Sequence, residues 1–213
     1  MARPPRPERK TELLEQILDY LLDSTLADLT FRSLADGLGI SSYVLVYHFG
    51  NREQLVGEII RGIVARFDGL FFDAPGNDAP KTGTAALIQW ARAAFALALD
   101  HRGRHLQRLE FEAAVQDVVA EEPRRLGLEA YQKWHRLAAE WLARQGVPED
   151  RAAVLGRTYV NAIMGVLYDY VLTGDRDAAL ASYDVVMATL PAQLEQAASA
   201  EADAGARPAG SAG

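Results

Sequence analysis

The sequence predicts an all-α chain of about nine helices, on three observations. Apolar residues recur at three- and four-residue steps through most of the length, as in helices that bury one stripe. N-cap residues, glycines and prolines punctuate those stripes at helix-length intervals. The one β-rich stretch, Tyr43–Phe49, lacks the alternation of a half-buried strand and stands between helical signals.

The first helix is expected over residues 9–23, where Leu13, Ile17 and Leu21 run beside Leu14, Leu18 and Leu22. Thr30 opens a short helix with inward positions Phe31, Leu34, Ala35 and Leu38, and Ser41 caps another whose inward positions are Leu45 and Phe49. Asn51 caps the next, with Gln54 as its capping-box partner, and this helix runs to about Phe72. Asp73–Gly83 breaks the pattern with Pro75-Gly76 and Pro80, and reads as a surface loop. Longer helices follow over about Thr84–Asp100 and about His105–Val119. Another starts near Pro123 and stops at Gly146. Pro148 opens a helix that ends at Thr173 against a left-handed Gly174. Asp175 caps the last, about Arg176–Leu190, which Pro191 ends or kinks. Residues 198–213, mostly alanine, glycine and serine, read as a disordered tail.

The helix over residues 148–173 has almost no polar face, since Val154, Leu155, Tyr159, Val160, Ile163, Met164, Val166, Leu167 and Tyr168 surround it. Such a helix is buried on all sides. One face toward the core and one toward a second copy of the chain would satisfy it, with Ala162 and Gly165 allowing close approach; a central core helix is the alternative.

With 213 residues the chain can bury a core unaided, and with no cysteine it has no disulfide, thiolate metal site or cysteine nucleophile. Its longest apolar run, Ala93–Leu99, is far short of the ~20 residues that span a bilayer. Met1–Lys10 is proline-rich and basic without an apolar stretch behind it, unlike a signal peptide. A cytoplasmic protein without membrane contact is expected.

Thr30–Phe49 carries the functional signal. A small residue at Ala35, a turn glycine at Gly39 four residues on, an apolar plug at Ile40 and a cap at Ser41 make a helix-turn-helix. Its second helix is expected to leave Ser42, Tyr43, Val44 and Tyr47 outward for a DNA major groove. A helical hairpin in a larger core is the bland alternative, but an amphipathic helix before it and a capped helix directly after it extend the pattern.

The whole run from Thr11 to Val56 resembles the DNA-binding region of TetR-family transcriptional regulators. The matching features are Leu29-Thr30, Leu34-Ala35, Leu38-Gly39-Ile40-Ser41, Leu45, His48-Phe49, and Arg52 with Leu55. Thr25, Tyr43 and Val46 depart from the family's usual residues, so base preferences do not carry over. The resemblance implies a DNA-binding domain over residues 1–52 with a basic N-terminal arm. It further implies a ligand-binding and dimerisation domain over residues 53–197, whose last two long helices pair across a two-fold axis. A homodimer would bind a palindromic operator in double-stranded DNA, as a repressor by default, and a small-molecule effector would release it; no cofactor and no enzymatic activity are implied.

On this resemblance Thr30, Arg32, Ser41, Tyr47, His48 and Arg52 hold phosphates, while Ser42, Tyr43 and Val44 face base edges. Arg3, Arg6, Arg9 and Lys10 form the arm, as a DNA contact or as a free terminus. Trp90, Phe95, Phe111, Tyr131, Trp134, Asn161 and Tyr168 are the candidates for an effector site; aromatics at helical spacing also serve as plain core, and Asn161 is singled out because a buried amide needs partners. His101 and His105 have a metal-compatible spacing but no third ligand, and Glu110 and Glu112 point to different sides of their helix, a poor acid–base pair. No nucleotide-binding or hydrolase fingerprint is present, so an all-α enzyme and a protein-binding adaptor are the weaker readings.

The net charge of −7, taken over the whole chain, argues against DNA. Residues 1–52, however, hold six basic and seven acidic residues, net −1, against sixteen and twenty-two, net −6, in the remainder. The acidity lies mainly outside the helix-turn-helix, and binding should weaken with salt on a shallow slope.

Overall fold

The computed structural model describes residues 7–68, 83–118 and 126–196. The expected loop before Gly83, the tail, Arg3 and Arg6 of the arm, and the helix start near Pro123 lie outside these residues. The described residues form α1 (Pro7–Tyr20), α2 (Phe31–Leu38), α3 (Ser42–Phe49), α4 (Arg52–Asp68), α5 (Thr84–Leu97), α6 (His101–Val118), α7 (Leu126–Arg144), α8 (Glu149–Thr173) and α9 (Arg176–Ala188). A 3-10 turn, Leu21–Asp23, follows α1. A further helical stretch spans residues 190–196 beyond a break at Thr189, so Pro191 sits at a kink. Among the described residues there is no strand, and Tyr43–Phe49 is helix.

Helix α1 gives way to the 3-10 turn at Leu21, inside the helix expected over 9–23, and the junction of α5 and α6 also differs from expectation. Helix α5 ends at Leu97 and α6 begins at His101, four residues before His105. The cause is Asp100, whose carboxylate accepts the Gly103 N–H at 2.6 Å and caps the new helix there.

Two compact units divide the chain, one taking residues 1–75 and 98–130, the other residues 76–97 and 131–213. The first therefore holds α1 to α4, α6 and the start of α7. Its core is built on Leu13, Ile17 and Leu21, over which Leu34, Leu45 and Phe49 of the short helices close. Helix α4 adds Leu55, Ile59 and Ile63, and α6 adds Leu106, Leu109 and Ala113. Burying a leucine-sized side chain contributes about 1.5–3 kcal/mol, so the three α6 residues are a substantial part of this core.

In the second unit α8 and α9 pair, joined through Gly174 at φ 71° and Asp175, whose carboxylate caps α9 by accepting the Ala178 N–H at 2.9 Å. Helix α5 packs on α9 by stacking Phe95 against Tyr183, ring centroids 4.4 Å apart. Beside that stack Arg92 donates to both Asp184 oxygens at 2.6 and 3.0 Å, which holds the Asp184 carboxyl below the usual carboxylate range. Within the single chain, helix α8 buries one side, through Ala152, Gly156, Val160, Leu167 and Tyr170, and leaves another open. Val154, Asn161, Gly165, Tyr168 and Leu172 form an exposed stripe along it.

Candidate nucleic-acid interface

The helix-turn-helix is fixed at each joint by local chemistry. Thr30 Oγ1 accepts the Ser33 N–H at 2.9 Å while Ser33 Oγ accepts the Thr30 N–H at 3.0 Å, a reciprocal cap that satisfies two otherwise orphan donors. At the turn Gly39 lies at φ 66°, a conformation that costs a side-chain-bearing residue about 1–2 kcal/mol. Tyr20 of α1 lays its ring against Gly37, where a Cβ would sit 2.3 Å from ring Cε2, so a side chain there would have to displace the Tyr20 ring. Leu45 and Phe49 point into the core, as expected. Ser41 precedes α3, but its side chain makes no capping bond; its carbonyl accepts the Val44 N–H at 3.0 Å instead. Asn51 and Gln54 form the expected capping box at the start of α4, at 2.8 and 3.0 Å.

The outward face of α3 differs by one residue from the expected one. Tyr43 is 73% exposed, Tyr47 is half-buried, and their rings stack with centroids 6.3 Å apart. Val44 is not outward: it is half-buried and packs against the core. Val46, 47% exposed, takes the outward place, giving a face of Tyr43, Val46 and Tyr47 at i, i+3 and i+4. Val46 was legible only as a departure from family usage. Ser42 is exposed, its Oγ 3.5 Å from the Phe31 carbonyl.

Thr30, Arg32 and Ser41 are exposed at the helix starts, open to a phosphate. His48 is half-buried beside Phe49, with Nδ1 enclosed and without a hydrogen-bond partner among the described residues. Arg52 is exposed but folds back on the connector: Nε donates to the Leu29 carbonyl at 3.1 Å and Nη2 to the Leu26 carbonyl at 3.4 Å. In the arm, Lys10 lies 3.1 Å from Glu58 and over the Phe49 ring, and Arg9 pairs with Glu12 at 2.9 Å.

Helix α6 clamps the connector between α1 and α2 from the other side, and this sequence reasoning missed. Arg108 Nη2 donates to the carbonyls of Leu21, Leu22 and Ser24 at 2.8, 3.3 and 2.9 Å, and Nη1 pairs with Glu112. Glu112 in turn accepts the Leu26 N–H at 2.8 Å. The Arg–Glu spacing of four was readable; its partners 84 to 87 positions away were not. A pocket of about 270 Å³ over this connector is lined by Tyr20, Asp23, Ser24, Thr25, Asp28, Leu29 and Ser33, none of them an expected effector residue.

The effector candidates are dispersed. Tyr131 donates to Asn161 Oδ1 at 2.6 Å, and His135 Nε2 lies 3.1 Å from the same oxygen, but Asn161 is exposed rather than buried. Phe95 is sealed in the α5–α9 stack, Trp90 and Trp134 are half-buried, and Tyr168 is exposed. Phe111 stands on α6, in the other compact unit. The His101 and His105 rings are 4.4 Å apart; among the described residues no group of three potential ligands could hold a metal ion. Nor is any described helix long and apolar enough to cross a membrane.

These features define an all-helical protein with a helix-turn-helix in its first compact unit. More particularly, the fold is that of TetR-family transcriptional regulators, the family the sequence resembles. The TetR regulator from Legionella pneumophila superposes with a TM-score of 0.66 at 15% identity, covering 88% of this chain and 99% of that one. A transcriptional regulator from Pseudomonas aeruginosa gives 0.68 at 18%, covering 90% and 93%, and a TetR-family regulator from Rhodococcus sp. gives 0.63 at 16%, covering 85% and 100%. In sequence, the HTH-type transcriptional repressor KstR2 of Mycobacterium tuberculosis is 39% identical over 56 residues, 26% of this chain and 28% of that protein. Its namesake in Rhodococcus jostii is 40% identical over 63 residues, 30% and 29% of the two chains. The matches thus span under a third of the length of these curated relatives. No family model matches the chain.

Proposed function

We propose that this chain is a cytoplasmic DNA-binding transcriptional regulator, acting as a repressor that binds a palindromic operator as a homodimer and is released by a small molecule. The carrying observation is the helix-turn-helix of α2 and α3, braced at each joint and presenting one face of α3 outward. DNA contacts fall within residues 1–52. Thr30, Arg32, Ser41 and His48 stand at or near the ends of α2 and α3, where backbone phosphates would pass, and Ser42, Tyr43 and Tyr47, the last moved there by its stack on Tyr43, face the groove. Arg52 contributes by bracing, its Nε and Nη2 being engaged by the connector carbonyls.

The exposed stripe on α8 supports dimerisation. Tyr168 is 55% and Leu172 64% exposed, and nothing within 4 Å would meet a Cβ at Gly165, which leaves room for a second backbone. Two recognition helices in such a dimer read half-sites about one DNA turn, ~34 Å, apart. Residues beyond 53 supply the effector site, with Trp90, Tyr131 and Trp134 of the second unit as its aromatic candidates; Phe95 is sealed in the α5–α9 stack, and Asn161 and Tyr168 lie on the stripe assigned to the dimer. An effector that shifts α6 would act on the connector through Arg108 and Glu112, and a coupling of about 1–3 kcal/mol lowers DNA affinity about 5- to 150-fold.

Selection of bound duplexes from a random-sequence pool by the full chain tests this reading. Enrichment of a palindrome supports it, and absence of enrichment even at low salt overturns it. The recovered duplex then allows a screen for small molecules that release the protein.

A further inference from the structure

We infer that the Tyr43–Val46–Tyr47 face of α3 recognises DNA by packing against thymine methyl groups, so that each half-site carries A·T pairs opposite this face. The inference rests on the DNA-binding reading above. Between Ser42 and Phe49 there is no Arg, Lys, Asn, Gln, Asp or Glu, the side chains that grip base edges with paired or charged hydrogen bonds. Its polar groups are few: the Ser42 hydroxyl near the Phe31 carbonyl, the half-buried His48, and the two phenols. What the helix does present is apolar and preorganised. The Tyr43 and Tyr47 rings stack at an interplanar angle of 24°, and Val46 extends the same face by one turn.

Every base pair offers hydrogen-bonding atoms to the major groove, but only thymine, through its C5-methyl, adds an apolar group. Packed against guanine or cytosine, this face would strip water from acceptors and an amino group without replacing the lost hydrogen bonds. An A·T pair presents as many polar groups as a G·C pair, so the thymine methyl buried on this face is what tips the balance. Removing one buried methyl weakens binding about fourfold, and one in each of two symmetric half-sites about 15-fold.

The test uses the full chain and a duplex it selects from a random pool, compared with the same duplex carrying deoxyuridine for thymidine in both half-sites, a change that deletes only methyl groups. The expected result is an affinity loss of about 4- to 15-fold or more on deoxyuridine. Val46→Ala, on an exposed position that leaves the core intact, should shrink that ratio, and Tyr43→Phe, which keeps the ring, should preserve it. Equal binding to both duplexes overturns the methyl inference while leaving the regulator reading in place. A ratio unchanged by Val46→Ala removes Val46 from the reading face. Failure to select any duplex overturns the regulator reading and the inference with it.

Discussion

Arg52 illustrates how a residue expected on a phosphate can instead brace its own unit. Two of its donors meet the Leu29 and Leu26 carbonyls, tying the start of α4 to the connector before α2. Arg52→Gln should therefore lower stability by about 1 kcal/mol, measured by urea denaturation. The salt dependence of DNA binding should stay nearly the same, because that slope counts cations placed on phosphates. A slope shallower by about two, one for each subunit of the dimer, would instead put the Arg52 charge on the backbone. The same contrast runs through the rest of the site. Thr30, Gly39, Leu45 and the Asn51 cap were legible because each answers to chemistry within a few residues. Val44 and Val46 were not, since both flank the Leu45–Phe49 stripe and what packs on α3 decides which is covered.

At the scale of elements, α6 carries both a clamp on the connector and, apart from it, a buried carboxyl. Arg108 and Glu112 secure the connector, and Arg108→Ala leaves three carbonyls and a carboxylate short of their partner. A loss of about 2–3 kcal/mol is expected, seen as a lower denaturation midpoint. Glu110 stands apart from this network. Burial pushes its carboxyl above the usual range, against the bond that Gln107 donates at 2.6 Å. A raised folded-state value means that the native form is favoured while Glu110 is protonated, below about pH 4, and that this contribution is lost as pH rises through the folded value. Glu110→Gln keeps an acceptor for Gln107 and should raise stability at pH 7 but not at pH 4, by denaturation at both. The extent of α6 was misjudged in sequence because Asp100 caps it three residues before Gly103, a bond that depends on the turn after Leu97.

For the whole molecule, the helix order was legible from periodicity and punctuation, whereas the grouping of helices into units was not, because it depends on contacts between residues far apart in the chain. The exposed α8 stripe bears on assembly. Tyr168→Arg should leave single chains in sedimentation and weaken operator binding by about 100-fold or more, since two linked half-sites bind far better than one. A variant that still sediments as a dimer would move the interface elsewhere. The grouping of units has a separate consequence for protein engineering. Because residues 98–130 return to the first unit, its core and its connector clamp are assembled from two separated stretches of chain. A chimera that grafts only the first 52 residues onto another body would omit Leu106, Leu109, Arg108 and Glu112. A transplant that preserves this reading head must bring α6 with it.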